Sequence, residues 1–414
     1  MHDKHRSGVT GEKLELPLNE SWVYKALHQP QPAWPEPAKQ DFWHRQFNLR
    51  STVTYDRAFH VVGAGDTIFF ASSADDKVYA LDSKSGNERW VFFTEGPVRF
   101  APCISDERVY AASDDGYVYC LAANDGSLIW KYKGTDGDRM VPGNERMISM
   151  WPVRTGLLVD EGILYFAAGL FPSQGTFLSA LNAEDGSIKW KQKVTVSPQG
   201  YILASDERLY VPTGRTNPFI FARSDGEPLK ELPSGGGTFA LLTENVLVTG
   251  PGRREKELNA SDVETRDKIA TFGGLRMLVN GSMAYLQAEN QLSAFERGLY
   301  LKLSRERIRL TQQHDKINEQ IKKTGRNTAE AKQLQEKIGT LVKQIGELSS
   351  KMKDCYRWTT VCEYPYSMIT AGDILFVGGE DKIAAIESLA GKVIWEATVD
   401  GKAYGLSVIN GGLY

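Results

Sequence analysis

The residues that could do chemistry in this 414-residue chain fall into three groups. The first is basic and aromatic. Arg99 and Arg154 each stand eleven residues ahead of a tyrosine, Tyr110 and Tyr165, at one fixed place in a recurring strand pattern. Arg57 is one residue out of that register. His60 and Arg276 each stand nine ahead of their own marks, Phe69 and Tyr285, on the same alternating face of a regular strand. Tyr201, Tyr366 and Tyr404 fall in the same entry segments. Guanidinium groups interleaved with phenols suit an anion or an acidic peptide. The alternative use of these arginines is to pair with aspartates in the turns between blades. The second group is acidic. Asp136-Gly137-Asp138 opens like a calcium loop, but the later ligands and glycine are missing, so a turn is expected. Asp75-Asp76 and Asp114-Asp115-Gly116 read as hairpin turns at matching places. The third group is Cys103, Cys120, Cys355 and Cys362, with neither an adjacent pair nor a Cys-x-x-Cys-His haem site. The first two read as buried strand residues. The other two, with six residues between them, leave a disulfide open. No Ser-His-Asp set, phosphate loop or His-Glu-x-x-His motif is present, and four of the six histidines precede residue 45.

The elements that must position these groups are repeats. Four eleven-residue frames run 80–90, 120–130, 180–190 and 385–395. Each has a glycine six residues in (Gly86, Gly126, Gly186, Gly391) and a tryptophan four further on (Trp90, Trp130, Trp190, Trp395). The apolar alternation before each frame is a strand, the glycine-containing cluster is a hairpin turn needing positive φ, and the tryptophan opens the next strand. Another strand lies upstream, such as Ile163-Leu164-Tyr165-Phe166, and a further apolar segment precedes that. One unit is thus four antiparallel strands over roughly 40 residues, the length of a propeller blade. Marks in the second strand fall at Phe69, Tyr110, Tyr165, Tyr210, Leu247, Tyr285, Phe376 and Tyr414. Eight marks predict eight blades, the last cut after its second strand begins unless N-terminal residues complete it. The fourth and fifth copies lack the tryptophan.

Hydrophobic residues make up 41% and charged residues 24%, enough for a buried core. The 49 Lys+Arg against 52 Asp+Glu argue against a generally basic nucleic-acid binder. No run approaches the ~20 apolar residues of a transmembrane helix. Four cysteines exclude a disulfide-stapled mini-domain. The expected organisation is an N-terminal Pro-rich arm (1–51), blades 1 to 6 (52–298), an inserted helical hairpin (299–354), and blades 7 and 8 (355–414). In the arm, residues 28–40 hold four prolines and should lie extended on the domain, with Trp34 as an anchor. No signal peptide is visible, which leaves a cytoplasmic protein or a start further upstream. The closing Gly411-Gly412-Leu413-Tyr414 looks like the opening of another strand, which suggests a longer protein. The insertion has an apolar heptad seam at Ala331, Leu334, Ile338, Leu341, Ile345, Leu348 and Met352. A weaker seam at Leu303, Leu310, Ile317 and Ile321 precedes it. Two antiparallel helices are expected, joined at residues 325–328 with Thr328 or Asn327 as cap. They form either a solvated insertion or a docking arm.

The unit from Val78 to Trp90, Val-Tyr-Ala-Leu-Asp-x-x-x-Gly-x-x-x-Trp, resembles the pyrroloquinoline-quinone (PQQ) repeat. The resemblance covers roughly 52–298 and 355–414. It implies an all-β, eight-bladed propeller of four-stranded blades with the helical hairpin inserted. It also implies that Trp90, Trp130, Trp190 and Trp395 dock blade on blade, with Trp358 in that role after the arm. The family includes quinoprotein alcohol dehydrogenases and non-enzymatic relatives such as the outer-membrane assembly lipoprotein. The alcohol-dehydrogenase branch typically has an adjacent Cys-Cys ring over the quinone, and this chain has none. No catalytic residue or metal ligand is assigned, and no cofactor is expected; PQQ with calcium is the alternative. The resulting expectation is a non-catalytic propeller that binds a protein partner through its face or its helical arm. A divergent PQQ-dependent oxidoreductase, or the propeller domain of a longer protein, is the other reading. An extracytoplasmic, periplasmic location is implied by the resemblance alone.

Overall fold

The computed structural model describes residues 3–34, 46, 53–143, 146–214, 216–233, 236–251, 256–324 and 328–414. The Pro-rich stretch beyond Trp34 and the helical turn 325–327 fall outside them. Among the described residues, seven sheets hold four consecutive antiparallel strands each, with strand order equal to chain order. They are blades 1 to 7, at 62–93, 103–133, 158–194, 203–231, 239–273, 276–361 and 367–402. First strands of successive blades touch one another, so they line the central channel. Second and third strands are sandwiched between neighbouring blades. They therefore read as continuous apolar runs: Thr67–Ser72 is buried at every position. The fourth strands face outward; Leu128–Lys133 has no fully buried residue.

One irregularity recurs in every blade. The pairing of third and fourth strands slips at Ala80/Leu81, Cys120/Leu121, Ala180/Leu181, Ile220/Phe221, Ala260/Ser261, Ala294/Phe295 and Ala385/Ile386. Such a bulge re-aims the side chain beside it. That side chain is the frame tryptophan, which docks on the glycine turn of the next blade. The Trp90 indole donates to Ala123 O at 3.0 Å, Trp130 to Ala183 O at 3.2 Å, Trp190 to Arg223 O at 3.2 Å and Trp358 to Ser388 O at 2.9 Å. The rings lie so close to the turns that a Cβ at Gly126 would meet Trp90 at 2.6 Å. Where the tryptophan is missing, so is the glycine. Blade 4 has Lys230 at the docking position, and the facing turn of blade 5 carries Arg266 at φ +65°.

The hairpin replaces the corresponding turn of blade 6. Helix α1 (Arg297–Thr324) and helix α2 (Ala329–Asp354) leave between that blade's third and fourth strands. Thr328 caps α2, its hydroxyl accepting from Ala331 N at 3.1 Å. The seam residues expected on α2 are its least exposed ones, with Ala331 and Met352 buried. The base is packed into blades 5 and 6: Tyr300 stacks on Phe272 at 5.3 Å, and Leu301, Met352 and Cys355 join the same core. All four cysteines are free thiols, and Cys355 and Cys362 belong to different core clusters.

Eight complete blades are not seen. After blade 7 only a two-stranded hairpin follows, Val408–Ile409 with Gly412–Leu413, packed beside the first strand of blade 1. The N-terminal arm occupies the rest of that side. It starts inside the ring, where Lys4 O and His5 O accept from Ala204 N and Leu242 N of blades 4 and 5. Val9–Thr10 then pairs in parallel with Thr370–Ala371 of blade 7. Leu14, Leu16 and Leu18 pack with Trp395, Leu406, Val408 and Leu413. Further on, Gln31 N bonds Ser73 Oγ, and the Trp34 indole reaches Gln199 Oε1 at 3.2 Å.

Candidate functional site

The channel contains a cavity of about 1860 Å³. Arg57, His60, Tyr201, Arg276, Tyr366 and Tyr404 all line it. First strands and the loops entering them carry these side chains, which is why residues of the entry segments ahead of the second-strand marks come together. Tyr366 and Tyr404 lie 4.8 Å apart, and the His60 ring sits against Gly405. His60 Nε2–H donates to Tyr55 O at 2.8 Å. Burial, with Arg6 and Arg276 nearby, pushes the His60 imidazole down to about 4. Arg276 donates to two neutral acceptors, Pro365 O at 2.6 Å and Gln287 Oε1 at 3.3 Å. Its guanidinium is pushed down to about 10 by burial and by Arg57.

Arg99 and Arg154 are elsewhere. They form a buried ion-pair network, not part of the cavity wall. Arg99 Nε donates to Asp114 Oδ2 at 2.6 Å and its Nη1 to Asp56 Oδ2 at 3.0 Å and to Gln31 O at 2.7 Å. Arg154 grips Asp114 through Nε and Nη2, both at 2.9 Å. The turn aspartate of Asp114-Asp115-Gly116 claims both guanidiniums. Burial would raise the Asp114 carboxyl; Arg154 and Arg99 outweigh it and hold it below its ordinary value. Asp56 is raised, because burial outweighs the attraction of Arg99 and only its Oδ2 is bonded. The network ties the arm, through Gln31 O and Ala33 N, to blades 1 to 3.

Sequence reasoning missed Arg6. It stands on the arm, outside the repeat, so no register pointed to it. Its guanidinium lies 4.0 Å over the Tyr201 ring. Nε and Nη1 are buried with no hydrogen-bond partner. Burial pushes this guanidinium down to about 10, against the attraction of Tyr201 and Asp3. Among the described residues no group of three His, Cys, Asp or Glu is placed to hold a metal.

The fold is a β-propeller similar to solved propeller structures. It superposes on the quinohemoprotein alcohol dehydrogenase of Comamonas testosteroni with a TM-score of 0.56 at 11% identity, covering 88% of this chain and 70% of that one. A computationally designed protein, Ika8, gives 0.55 at 10% identity, covering 88% and 95%. Residues 36–149 match the family model described as outer membrane protein assembly factor BamB. That match covers little more than a quarter of the chain and marks a resemblance to PQQ-like repeats over that stretch. A tetrathionate hydrolase of Acidithiobacillus ferrooxidans is 25% identical over 145 residues, which are 35% of this chain. The match spans about a quarter (24%) of that relative's length.

The fold raises the question of PQQ with calcium. Cationic walls suit the carboxylates of the quinone. A calcium ion beside it needs several oxygen ligands, and this wall sets Arg57 and Arg276 within each other's field instead. Of the carboxylates that line the cavity, Asp66 pairs with Arg89, Glu289 with Lys256, and Asp3 accepts from Ser7, while Asp106 and Glu107 sit together on an exposed turn of blade 2. The residues do not fit the quinone–calcium pair, and no reaction step is derived through it.

Proposed function

We propose that this chain is a non-catalytic propeller that serves as a protein-binding scaffold, with the helical hairpin as its contact arm. The observation that carries the reading is how the hairpin is built. Helices of 28 and 26 residues extend roughly 40 Å at 1.5 Å per residue. Their base is anchored by Tyr300, Met352 and the Arg305–Asp262 pair at 2.9 Å. Beyond that base the helices pack chiefly on each other. A rigid projection that serves no packing need of its own ring is suited to a partner. The BamB-type repeats are consistent with an assembly role, and on the same ground we infer an extracytoplasmic location. No helix among the described residues is long and apolar enough to cross a membrane.

An eighth ring position, closing the propeller between blades 7 and 1, belongs to this reading. Trp22 of the arm supports it. Its indole donates to Ser83 O at 3.0 Å and its ring covers Gly86, as the frame tryptophans cover Gly126 and Gly186. Tyr414 lies 5.8 Å from Trp22 and donates to the same Ser83 O at 2.8 Å. In blade 2, Tyr110 and Trp130 stand 5.9 Å apart and share Ala183 O in the same way. Tyr414 thus acts as an eighth second-strand mark and Trp22 as an eighth docking tryptophan, supplied by opposite ends of the chain.

The test is site-specific photocrosslinking in the native host, with the crosslinker at exposed Val342 of α2 and, as control, at exposed Phe93 of blade 1. One discrete protein adduct at Val342, lost when 303–350 is replaced by a short linker in a chain of unchanged melting temperature, is expected. No adduct at the hairpin refutes the contact arm. One-to-one uptake of PQQ with calcium, together with dye-linked alcohol oxidation, overturns the non-catalytic reading.

A further inference from the structure

The hairpin and the ring it grows from differ in sign. Residues 299–354 carry 13 Lys+Arg against 7 Asp+Glu, which leaves 36 against 45 for the rest of the chain. On α1 this excess is sorted to one side. Lys302, Arg305, Arg309, Lys316 and Lys323 follow steps of three, four, seven and seven residues, so they share one face, away from the Leu303, Leu310 and Ile317 seam. Positions 312, 313 and 320 of the same face are glutamines, and all eight side chains are exposed. Glu306 and Glu319 stand only at its margins. The outer face of α2 is composed differently: Lys332 alternates with Glu336, and Lys343 with Glu347, at four-residue spacing. Mixed signs of that kind suit a face that meets only water. The α1 face lacks them. Two of its cations have partners already. Arg305 ties the ring end of the row to Asp262 at 2.9 Å, and Arg309 donates to Glu306 of its own helix at 2.9 Å. The second pair is exposed on both sides and contributes little. No ion pair among the described residues engages Lys302, Lys316 or Lys323.

We propose that this face of α1 docks an acidic helix of a partner protein, laid lengthwise along the hairpin. The inference rests on the hairpin being a contact arm and adds the chemistry of what it contacts. Arg309, Lys316 and Lys323 recur every seventh residue, roughly 10.5 Å apart at 1.5 Å per residue. A straight row with that repeat matches a second helix bearing Asp or Glu at the same interval, as charges beside a coiled-coil seam select their partner. Two other kinds of anionic partner fit less well. The row holds no apolar side chain to enter a bilayer, which a helix lying on a membrane needs. A bilayer or a nucleic-acid duplex lying along the arm also meets the ring at its foot. The hairpin takes the place of a third-to-fourth strand turn, and these turns are bonded to the first-to-second strand turns, as Ala123 N is to Glu107 O and Arg297 N to Ser282 O. That face exposes Asp106-Glu107, Glu184-Asp185 and Asp225, which repel an extended anion within the screening length. A single acidic helix stays on the arm and avoids them.

The test is fluorescence anisotropy with the full chain and a labelled synthetic helix as long as α1, bridged to hold its fold, with glutamates repeating every seventh residue along one side. The comparison probes are its scrambled isomer, vesicles of equal parts phosphatidylcholine and phosphatidylglycerol, and duplex DNA of the same length. Saturable one-to-one binding of the patterned helix is expected, at least tenfold tighter than its isomer and weakened by added salt. Combined Arg309→Glu, Lys316→Glu and Lys323→Glu should weaken it at least tenfold. Combined Lys332→Glu, Lys337→Glu and Lys343→Glu on α2, which change the net charge equally, should weaken it less than threefold. The same three α1 positions changed to Gln keep helix-forming side chains and should give a smaller loss in the same direction. Equal losses from the α1 and α2 reversals, equal binding of the two isomers, or tighter binding of the vesicles or the DNA would overturn the proposal. The arm and its chemistry fail separately in the native host. A hairpin adduct that persists when the three α1 cations are reversed leaves the contact arm standing and overturns the acidic partner, whereas no adduct on the unaltered hairpin removes both.

Discussion

Replacing Trp22 by alanine probes the eighth ring position directly. The indole hydrogen bond to Ser83 O, at 3.0 Å, contributes about 0.5–1.5 kcal/mol net. The ring contact with Tyr414 adds about 0.5–1.5 kcal/mol. Trp22 is half-buried, so its apolar contribution is less than that of fully buried Trp90. The sum is about 2–3 kcal/mol for holding the arm on blade 1. At about 1.4 kcal/mol per factor of ten, the population with the arm detached rises roughly 30- to 150-fold. Hydrogen exchange followed by mass spectrometry reads this without assuming all-or-none unfolding, which a ring of repeats need not obey. Amides of residues 9–24 and of the Ser83–Gly86 turn should exchange faster by that factor. Trp90→Ala serves as benchmark: it opens the blade 1–blade 2 joint, at about 3–5 kcal/mol, and leaves the arm protected. Arm protection unchanged within threefold in Trp22→Ala, while Trp90→Ala shows its effect, would refute the reasoning.

Other consequences can be checked in the same protein. Asp114→Asn should cost about 3–5 kcal/mol in urea unfolding, because it leaves the Arg99 and Arg154 guanidiniums buried against a neutral amide; a loss below about 1 kcal/mol contradicts the network's role. Gly126→Ala should destabilise by about 1–3 kcal/mol, since φ is +73° and the new Cβ would meet Trp90 at 2.6 Å. Arg266→Gly, at an equivalent turn with no tryptophan above it, should be neutral or stabilising by up to about 1 kcal/mol; equal losses at the two sites would mean that the turn alone, without the ring, sets the requirement. His60 takes up a proton near 6.5 when unfolded and only near 4 when folded. The unfolded chain therefore binds more protons between those values, and this contribution is complete above about 6.5 and lost as pH falls toward 4. His60→Gln should flatten the loss of stability across that window, and an unchanged pH slope would show that His60 is not its source.

Much of this architecture could be read from the residues because its rules are local. The interval from Ala80 to Gly86 to Trp90 encodes a strand, a positive-φ turn and a bulged strand, and each needs only its own neighbours. Copies of that interval therefore announced the blades, and the 3-4 spacing from Ala331 to Met352 announced the helix seam. Arg57, His60, Tyr201, Arg276, Tyr366 and Tyr404 all fall in the entry segments a short way ahead of the second-strand marks, and those segments line one cavity. Arg99 and Arg154 have the same kind of offset, yet the fold turns them to Asp114 and Asp56, and no spacing in the chain says which of two partners a guanidinium will meet. Tertiary structure alone decided the arm. Residues 3–34 have no repeat of their own, so their path is set by what the ring leaves unpaired: a blade 7 edge for Val9–Thr10, apolar residues 395–413 for Leu14 to Leu18, and a bare glycine turn at Gly86 for Trp22. Arg6 enters the channel as a consequence of that path. Periodic residues declare their place through the neighbours they share in sequence, whereas an aperiodic segment acquires its place only from surfaces that the finished ring presents.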